Sequence, residues 1–249
     1  MRYSAVVEYD GTGYYGFQRQ REKPTIQQEL EQSINLVTGA SIPIAFAGRT
    51  DSGVHALGQV IAFDVDWAHE TDDLHRAINA NLPDAIVLRK LREARPDFHP
   101  RFDARKRVYE YTIYNSPVRS PYRRHYSWHV RRRLDLQSMN SAADSIIGVH
   151  DFSTFGTPPQ GTNPVRKVFS SEWRVEDDLL VFRIEANAFL KRMVRSLVGT
   201  LEQVGAGYWS EADFVDAFWA RDRDRAGQTA PARGLFLMSV QYDADELGE

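Results

Sequence analysis

Ala47-Gly48-Arg49-Thr50-Asp51-Ser52-Gly53-Val54-His55-Ala56 gathers small and polar residues around one carboxylate. Arg49 stands two residues before Asp51 and His55 four after it, and charged partners can hold a carboxylate ionised. An ionised carboxylate in a pocket is a nucleophile or a general base. An Asp in a polar connection also forms Asx turns with its own backbone, and on these residues alone both readings stand. Gly11-Thr12-Gly13-Tyr14-Tyr15-Gly16 matches G-x-G-x-x-G, but that fingerprint needs its last glycine to open a helix. Here Phe17-Gln18-Arg19-Gln20-Arg21-Glu22-Lys23-Pro24 follows, polar and broken by proline. A flexible turn with no nucleotide cofactor is expected. H-R-D, D-F-G and G-x-S-x-G are missing, which removes kinases and α/β-hydrolases. His125 and His129 flank Tyr126-Ser127-Trp128, which reads as strand, where a spacing of four does not converge on one ion. With no H-E-x-x-H either, no metal site is expected. His150-Asp151 offers an acid/base pair in what reads as a loop after a helix. The chain has no cysteine, so thiol nucleophiles, thiolate zinc sites and disulfides are excluded.

Periodicity shows the elements that must position these groups. Tyr3–Tyr9 alternates and predicts a strand ending at the Asp10-Gly11 turn. Thr25 and Gln28 are spaced as a capping box, Ile26, Leu30, Ile34 and Val37 form an apolar stripe, and Gly39 closes that helix. Strands over Ile42–Ala47 and Gly58–Val65, a helix around Asp72–Ala80 and a strand over Ala85–Leu91 complete a first half. The same order then recurs. A strand over Arg107–Tyr114 precedes a helix over Asp135–Ile147 ended by Gly148, and Val168–Val175 and Leu179–Glu185 form a hairpin across Glu176-Asp177-Asp178. A helix over Phe189–Val204, a capped helix from Ser210 and a closing strand over Leu235–Tyr242 follow. The expected fold class is α+β: two ferredoxin-like halves of β-α-β-β-α-β type, 1–104 and 105–249. Each half would present an antiparallel sheet with helices on one side.

The 249 residues are 42% hydrophobic and 26% charged, as in a folded globular chain of one large or two modest domains. Apolar runs stop at four residues, as in Ile44–Ala47, whereas a membrane span needs about 20. Met1-Arg2-Tyr3-Ser4 leads straight into a strand pattern with no signal-peptide core, so a cytoplasmic location is expected. The net charge of −3 hides an asymmetry. Arg89–Arg133 holds 14 Lys/Arg and 4 Asp/Glu, or +10, leaving 17 basic and 30 acidic residues, or −13, elsewhere. Phe98, Phe102, Tyr109, Tyr111, Tyr114, Tyr122, Tyr126 and Trp128 lie in the same stretch. Cations neutralise phosphates and aromatic faces stack on unpaired bases, so the cluster favours nucleic acid. A solvated Arg-rich loop beside ordinary strand aromatics would have the same composition.

Gly48-Arg49-Thr50-Asp51-Ser52-Gly53-Val54-His55-Ala56 resembles the active-site motif of the tRNA pseudouridine synthases of the A type, and the resemblance runs in order along essentially the whole chain. Tyr9-Asp10-Gly11-Thr12 with Gly16-Phe17-Gln18 and Gln20 resembles the family's opening. Arg101-Phe102-Asp103-Ala104 and Tyr109-Glu110-Tyr111 resemble its middle. His150-Asp151-Phe152 with Phe155, Asn187-Ala188-Phe189-Leu190 with Met193-Val194-Arg195, and Ala230-Pro231-Ala232-Arg233-Gly234-Leu235 resemble its second half. The resemblance implies that Asp51 is the catalytic aspartate of a cofactor-free isomerisation of uridine to pseudouridine. Attack on C1′, addition to C6 and removal of a sugar proton all stay open as its route. It also implies that Tyr109 contacts the target base, by stacking and by a hydroxyl near C5. As the period-2 partner of Tyr111, Tyr109 equally suits a strand core. Arg195 matches the arginine that pairs with the aspartate and orients it. On a helical wheel it falls with Lys191 and Glu202 opposite the apolar face, where a solvated arginine is the ordinary outcome. Arg49 either replaces the extruded base or binds phosphate. Lys191 departs from the family pattern, in which a His or an aromatic is more usual. The implied substrate is the tRNA anticodon stem-loop at uridines 38, 39 and 40, held by a homodimer in a central cleft where the halves meet, with backbone contacts from Arg89–Arg133. A non-catalytic RNA-binding protein of tandem ferredoxin-like modules would share the sheet aromatics but would not need the intact Gly48–Ala56 segment.

Overall fold

The alternation of Tyr3, Ala5, Val7 and Tyr9 becomes the buried face of the first strand in a computed structural model that describes residues 1–159 and 161–243. In chain order the elements are β1 (Arg2–Tyr9), α1 (Ile26–Thr38), β2 (Ala45–Phe46), β3 (His55–Asp64), α2 (Thr71–Asn81), β4 (Ile86–Glu93), β5 (Lys106–Asn115), β6 (Trp128–Val130), α3 (Leu136–Asp144), β7 (Gly148–Asp151), β8 (Val165–Glu176), β9 (Leu179–Ala186), α4 (Met193–Gly205), α5 (Glu211–Ala220) and β10 (Leu235–Gln241). The fold class is α+β. No helix among the described residues is long and apolar enough to cross a membrane. The described residues form two compact units, Met1–Lys106 with Phe236–Asp243, and Arg107–Leu235.

In the first unit β1 pairs antiparallel with β3 and β4, and β2 pairs antiparallel with β3. The order β4-β1-β3-β2 is that of a ferredoxin-like sheet. β2 is shorter than its apolar run Ile42–Ala47 predicts. Pro43 has no N–H to give a ladder, and the Ile44 amide donates instead to Glu31 Oε1 at 3.1 Å. Thr25 caps α1 by accepting from the Gln28 amide at 3.4 Å, and Ser33 Oγ donates to Ile78 O of α2 at 2.8 Å, tying the two helices together. Ala47, Val60, Ala62 and Phe98 form a buried cluster against which Tyr242 packs.

β10 departs from the expected division at 104/105. Phe236 and Leu237 lie parallel to His55 and Ala56 of β3, and the Arg105 amide donates to Gln241 O at 2.8 Å, which puts the strand from Phe236 on in the first unit. Residues 244–249 of the expected second half lie outside the described residues.

In the second unit the antiparallel order is β5-β9-β8-β7, with β6 added parallel to β5. Asp135 caps α3, accepting from the Gln137 and Ser138 amides, and Ser210 with Asp213 forms a full capping box on α5. Asn140 of α3 bonds both the N–H and the carbonyl of Trp173 in β8, at 2.7 and 3.0 Å, and fixes helix to sheet. Two helix boundaries differ from expectation. α3 ends at Asp144 and Gly148–Asp151 is strand β7, an edge too short and too polar to read from periodicity. α4 begins at Met193 rather than Phe189. Lys191 donates its amide to Thr157 O at 2.9 Å and Arg192 takes a left-handed conformation at φ +65°, so Phe189 and Leu190 belong to the approach.

Candidate active site

Asp51 is half-buried in the connection between β2 and β3, and its backbone is fastened from three directions. Gln59, fully buried in β3, donates Nε2 to Gly48 O at 2.7 Å and accepts from the Gly48 amide at 3.2 Å, so one side-chain amide holds the entry to the loop. At the end of β1 the Tyr9 hydroxyl shares a 2.7 Å hydrogen bond with Thr50 Oγ1. The turn that follows β1 supplies the rest. Thr50 O accepts from the Phe17 amide at 3.2 Å, while Ser52 Oγ and the Gly53 amide donate to Tyr14 O at 3.0 and 3.3 Å. The Val54 amide donates to Asp51 O at 3.1 Å and closes the loop on itself.

The glycines of that turn have a use other than the expected flexibility. A Cβ on Gly16, at φ +90°, would stand 2.7 Å from Thr50 O and 3.3 Å from Asp51 C; one on Gly11 would stand 2.1 Å from Val54 O. Gly11–Gly16 is therefore a close-fitting bed under the Asp51 peptide, which only glycine permits at these two points. His55, expected as a charged neighbour of the loop, is buried with Nδ1 3.1 Å from both Gly11 N and Asp10 Oδ1, and its ring stacks on Phe236 at 4.7 Å. It anchors the turn. Burial pushes the Tyr14 hydroxyl above its usual range, with the charges of Glu29 and Asp10 adding to the effect. Arg49 is exposed beside this framework.

The second unit holds Tyr109 and Arg195. Tyr109, on β5 opposite Ile184, is 9% exposed and meets the edge of Phe189 at 5.0 Å. Phe189 is available to it because α4 starts later than its apolar stripe suggests. Tyr111, two residues on, is wholly buried and donates its hydroxyl to Pro231 O at 2.8 Å. Burial drives that phenol far above its usual range, against the opposing charges of Arg195 and Arg233. Arg195 stands in the first turn of α4, where a cation opposes the helix dipole. It is half-buried rather than solvated. Nε donates to Ala230 O at 2.8 Å and the Ala230 amide returns a bond to Arg195 O at 3.0 Å. Glu202, expected on the same solvated face, is 7% exposed. Lys191 is exposed.

Tyr9, Tyr14 and Ala230 fall within motifs named above, but what they hold is not legible there, and Gln59 is missed altogether. Gln59 does leave a trace, a polar residue at the head of the apolar run Val60-Ile61-Ala62-Phe63. The His150-Asp151 pair is structural: the His150 ring meets Phe218 and Trp219 at 5.5 and 5.4 Å, and Asp151 accepts from the Ser153 amide at 2.8 Å. His125 accepts from Arg124 Nε at 2.7 Å and His129 bonds Ser116 O at 2.8 Å. Among the described residues no cluster of His, Asp or Glu could hold a metal ion.

Residues 5–103 and 142–243 match the family model described as "tRNA pseudouridine synthase". The chain is 40% identical to "tRNA pseudouridine synthase A" of Thermotoga sp. (strain RQ2) over 97% of its own length and 99% of the relative's. It is 40% identical to the protein of that name in Thermoanaerobacter sp. (strain X514), covering 95% and 98% of the two chains. With that of Acetivibrio thermocellus it shares 41% over 95% and 98%. Among solved structures, a chain of the "Crystal Structure of a Cbf5-Nop10-Gar1 Complex" aligns at a TM-score of 0.37 with 14% identity, over 80% of this chain and 44% of that one, a likeness too slight to carry meaning. With a family model matched across both units and relatives of this identity along nearly the whole chain, the protein belongs to the tRNA pseudouridine synthase family.

Proposed function

We propose that this pseudouridine synthase acts on uridines 38, 39 and 40 of the tRNA anticodon stem-loop, with Asp51 as the reacting carboxylate. The held Asp51 loop carries the reading. Its backbone is fixed by Gln59, Tyr9 and Tyr14 while Asp51 itself stays half-exposed, which presents one carboxylate at a set position. A module that only binds RNA has no use for such a construction. The reaction breaks the N1–C1′ bond and forms C5–C1′; the proton on C5 leaves and N1 gains one. It is redox-neutral and needs no cofactor. The carboxylate can serve by attacking C1′, by adding to C6 or by taking a sugar proton.

Tyr109, Arg49 and Arg195 are assigned to substrate binding on the same reading. Tyr109 offers a ring held edge-on by Phe189 for the extruded base. Arg195, placed against the helix dipole and fixed by Ala230, is a cation whose local cost points to a role in the site, orienting the Asp51 carboxylate. Exposed Arg49 fills the place of the extruded base or binds phosphate. The enzyme is read as a homodimer on its resemblance to the family, and as cytoplasmic on its sequence pattern.

Release of tritium from tRNA labelled at C5 of uridine tests the reading. Wild type is expected to release it, and to stop when uridines 38–40 are replaced by cytidine. Asp51→Asn, which keeps shape and removes charge, is expected to bind tRNA and release nothing. Turnover by Asp51→Asn would overturn the catalytic assignment, and turnover on the cytidine-substituted tRNA would overturn the target.

A further inference from the structure

Arg89–Arg133 is one basic run in sequence, but the structure divides it. In its first part three guanidinium groups are met by acids: Arg89 by Glu8 at 2.6 Å, Arg95 by Asp103 at 3.3 Å and Arg105 by Asp243 at 2.7 Å. Between Ser116 and Arg133 the sequence has no carboxylate at all. There Arg123 reaches Asp178 at 2.7 Å, whereas Arg119, Arg124 and Arg131–Arg133 are exposed.

The loop from Ser116 to Ser127 is firmly seated. Arg123 lies over the Tyr114 ring at 5.6 Å, and its carbonyl accepts from Ser127 Oγ at 2.7 Å and the Tyr126 amide at 3.2 Å. Asn115 donates to Val130 O and Arg132 O and accepts from the Leu134 amide. Arg233 Nε holds Ser127 O at 3.1 Å, and Pro117 and Pro121 fix their own φ angles. The tip shows Val118 at 69%, Tyr122 at 92% and Tyr126 at 45% exposure. One exposed aromatic is ordinary. Several apolar side chains held on an anchored loop, among cations with no acid in the segment, make a surface shaped for an anionic partner with flat faces.

We propose that Ser116–Ser127 is a tRNA-contacting arm, in which Tyr122 stacks on an unpaired base and Arg119 and Arg124 neutralise neighbouring phosphates. This rests on the reading of tRNA as substrate. Stacking accepts any base, so the arm adds affinity without choosing sequence, and a loop already ordered loses little freedom on binding. A second copy of this chain is the poorer occupant, since two such arms would bring like charges together.

Binding of unmodified tRNA, measured beside tritium release, tests the arm with Tyr122→Ala, Tyr122→Phe and the double variant Arg119→Ala/Arg124→Ala. Tyr122→Ala is expected to weaken binding about tenfold and Tyr122→Phe to restore it to within about twofold. The double variant should flatten log Kd against log salt by about 1.4 to 1.8. Turnover at subsaturating tRNA should follow the affinity in each variant. Wild-type affinity and slope in every variant, with wild type active, would overturn the arm and leave the substrate reading intact. An altered oligomeric state with unaltered tRNA affinity would also overturn it, in favour of self-association. Wild type that neither binds tRNA nor releases tritium would overturn the substrate reading and the arm with it.

Discussion

A methyl group at position 16 would press on the carbonyl of Thr50 and the peptide of Asp51, whereas one at Gly13, also at positive φ, meets nothing within 4 Å. The pair separates backbone strain from pressure on the candidate active loop. Gly16→Ala is expected to cost about 1–3 kcal/mol in urea unfolding and to lower turnover by an order of magnitude or more. Gly13→Ala pays only for its dihedral and should keep turnover. Equal turnover in the two variants would mean that the bed under Asp51 does not position it. The residues of this loop are plain in the sequence because they are contiguous. Their fastening is not, since Tyr9, Tyr14 and Gln59 come from β1, the glycine turn and β3, and no periodicity encodes a hydrogen bond across such separations.

At the scale of elements, α4 shows how an apolar stripe misleads about a boundary. Phe189, Leu190, Met193, Val194, Leu197, Val198, Leu201 and Val204 follow one helical face without a break, yet the pairing of Lys191 with Thr157 and the left-handed Arg192 start the helix at Met193. β7 is hidden for the opposite reason, a strand of four residues being too short for a pattern. The hairpin of β8 and β9 and the caps at Thr25 and Ser210 are local signals, and all are legible. α4 also buries Glu202. Loss of hydration raises its carboxyl above the ordinary range, with bonds from Gln203 and Gln228 and the charge of Arg132 pulling the other way. The folded chain therefore holds that proton more tightly than the unfolded one. Stability is lost as pH rises from the unfolded value of about 4.3 through the folded one, and the loss is complete above it. Glu202→Gln is expected to raise the urea midpoint near pH 7 and to leave it unchanged near pH 3. A midpoint lowered at pH 7 would show that the ionised carboxylate stabilises α4.

For the molecule as a whole, −3 is a poor guide to its partners. Carboxylates outside Arg89–Arg133 offset a local charge of +10, and a sequence pattern locates that patch without showing which of its arginines are already paired within the protein. If six phosphates are neutralised, tRNA affinity should fall about a thousandfold between about 50 and 200 mM salt. Affinity that holds steady across that range would assign recognition to contacts other than phosphate.

The strand Leu235–Gln241 lies along β3 beside the Asp51 loop, and its Phe236 is the ring on which His55 stacks. During synthesis β1, β3 and the loop emerge from the ribosome long before that strand does. Until it arrives, the His55 end of β3 is an open edge, the sort of surface that captures wrong partners. The nascent chain thus carries every residue of the Asp51 motif while lacking the last piece of its mounting, a piece that translation supplies late.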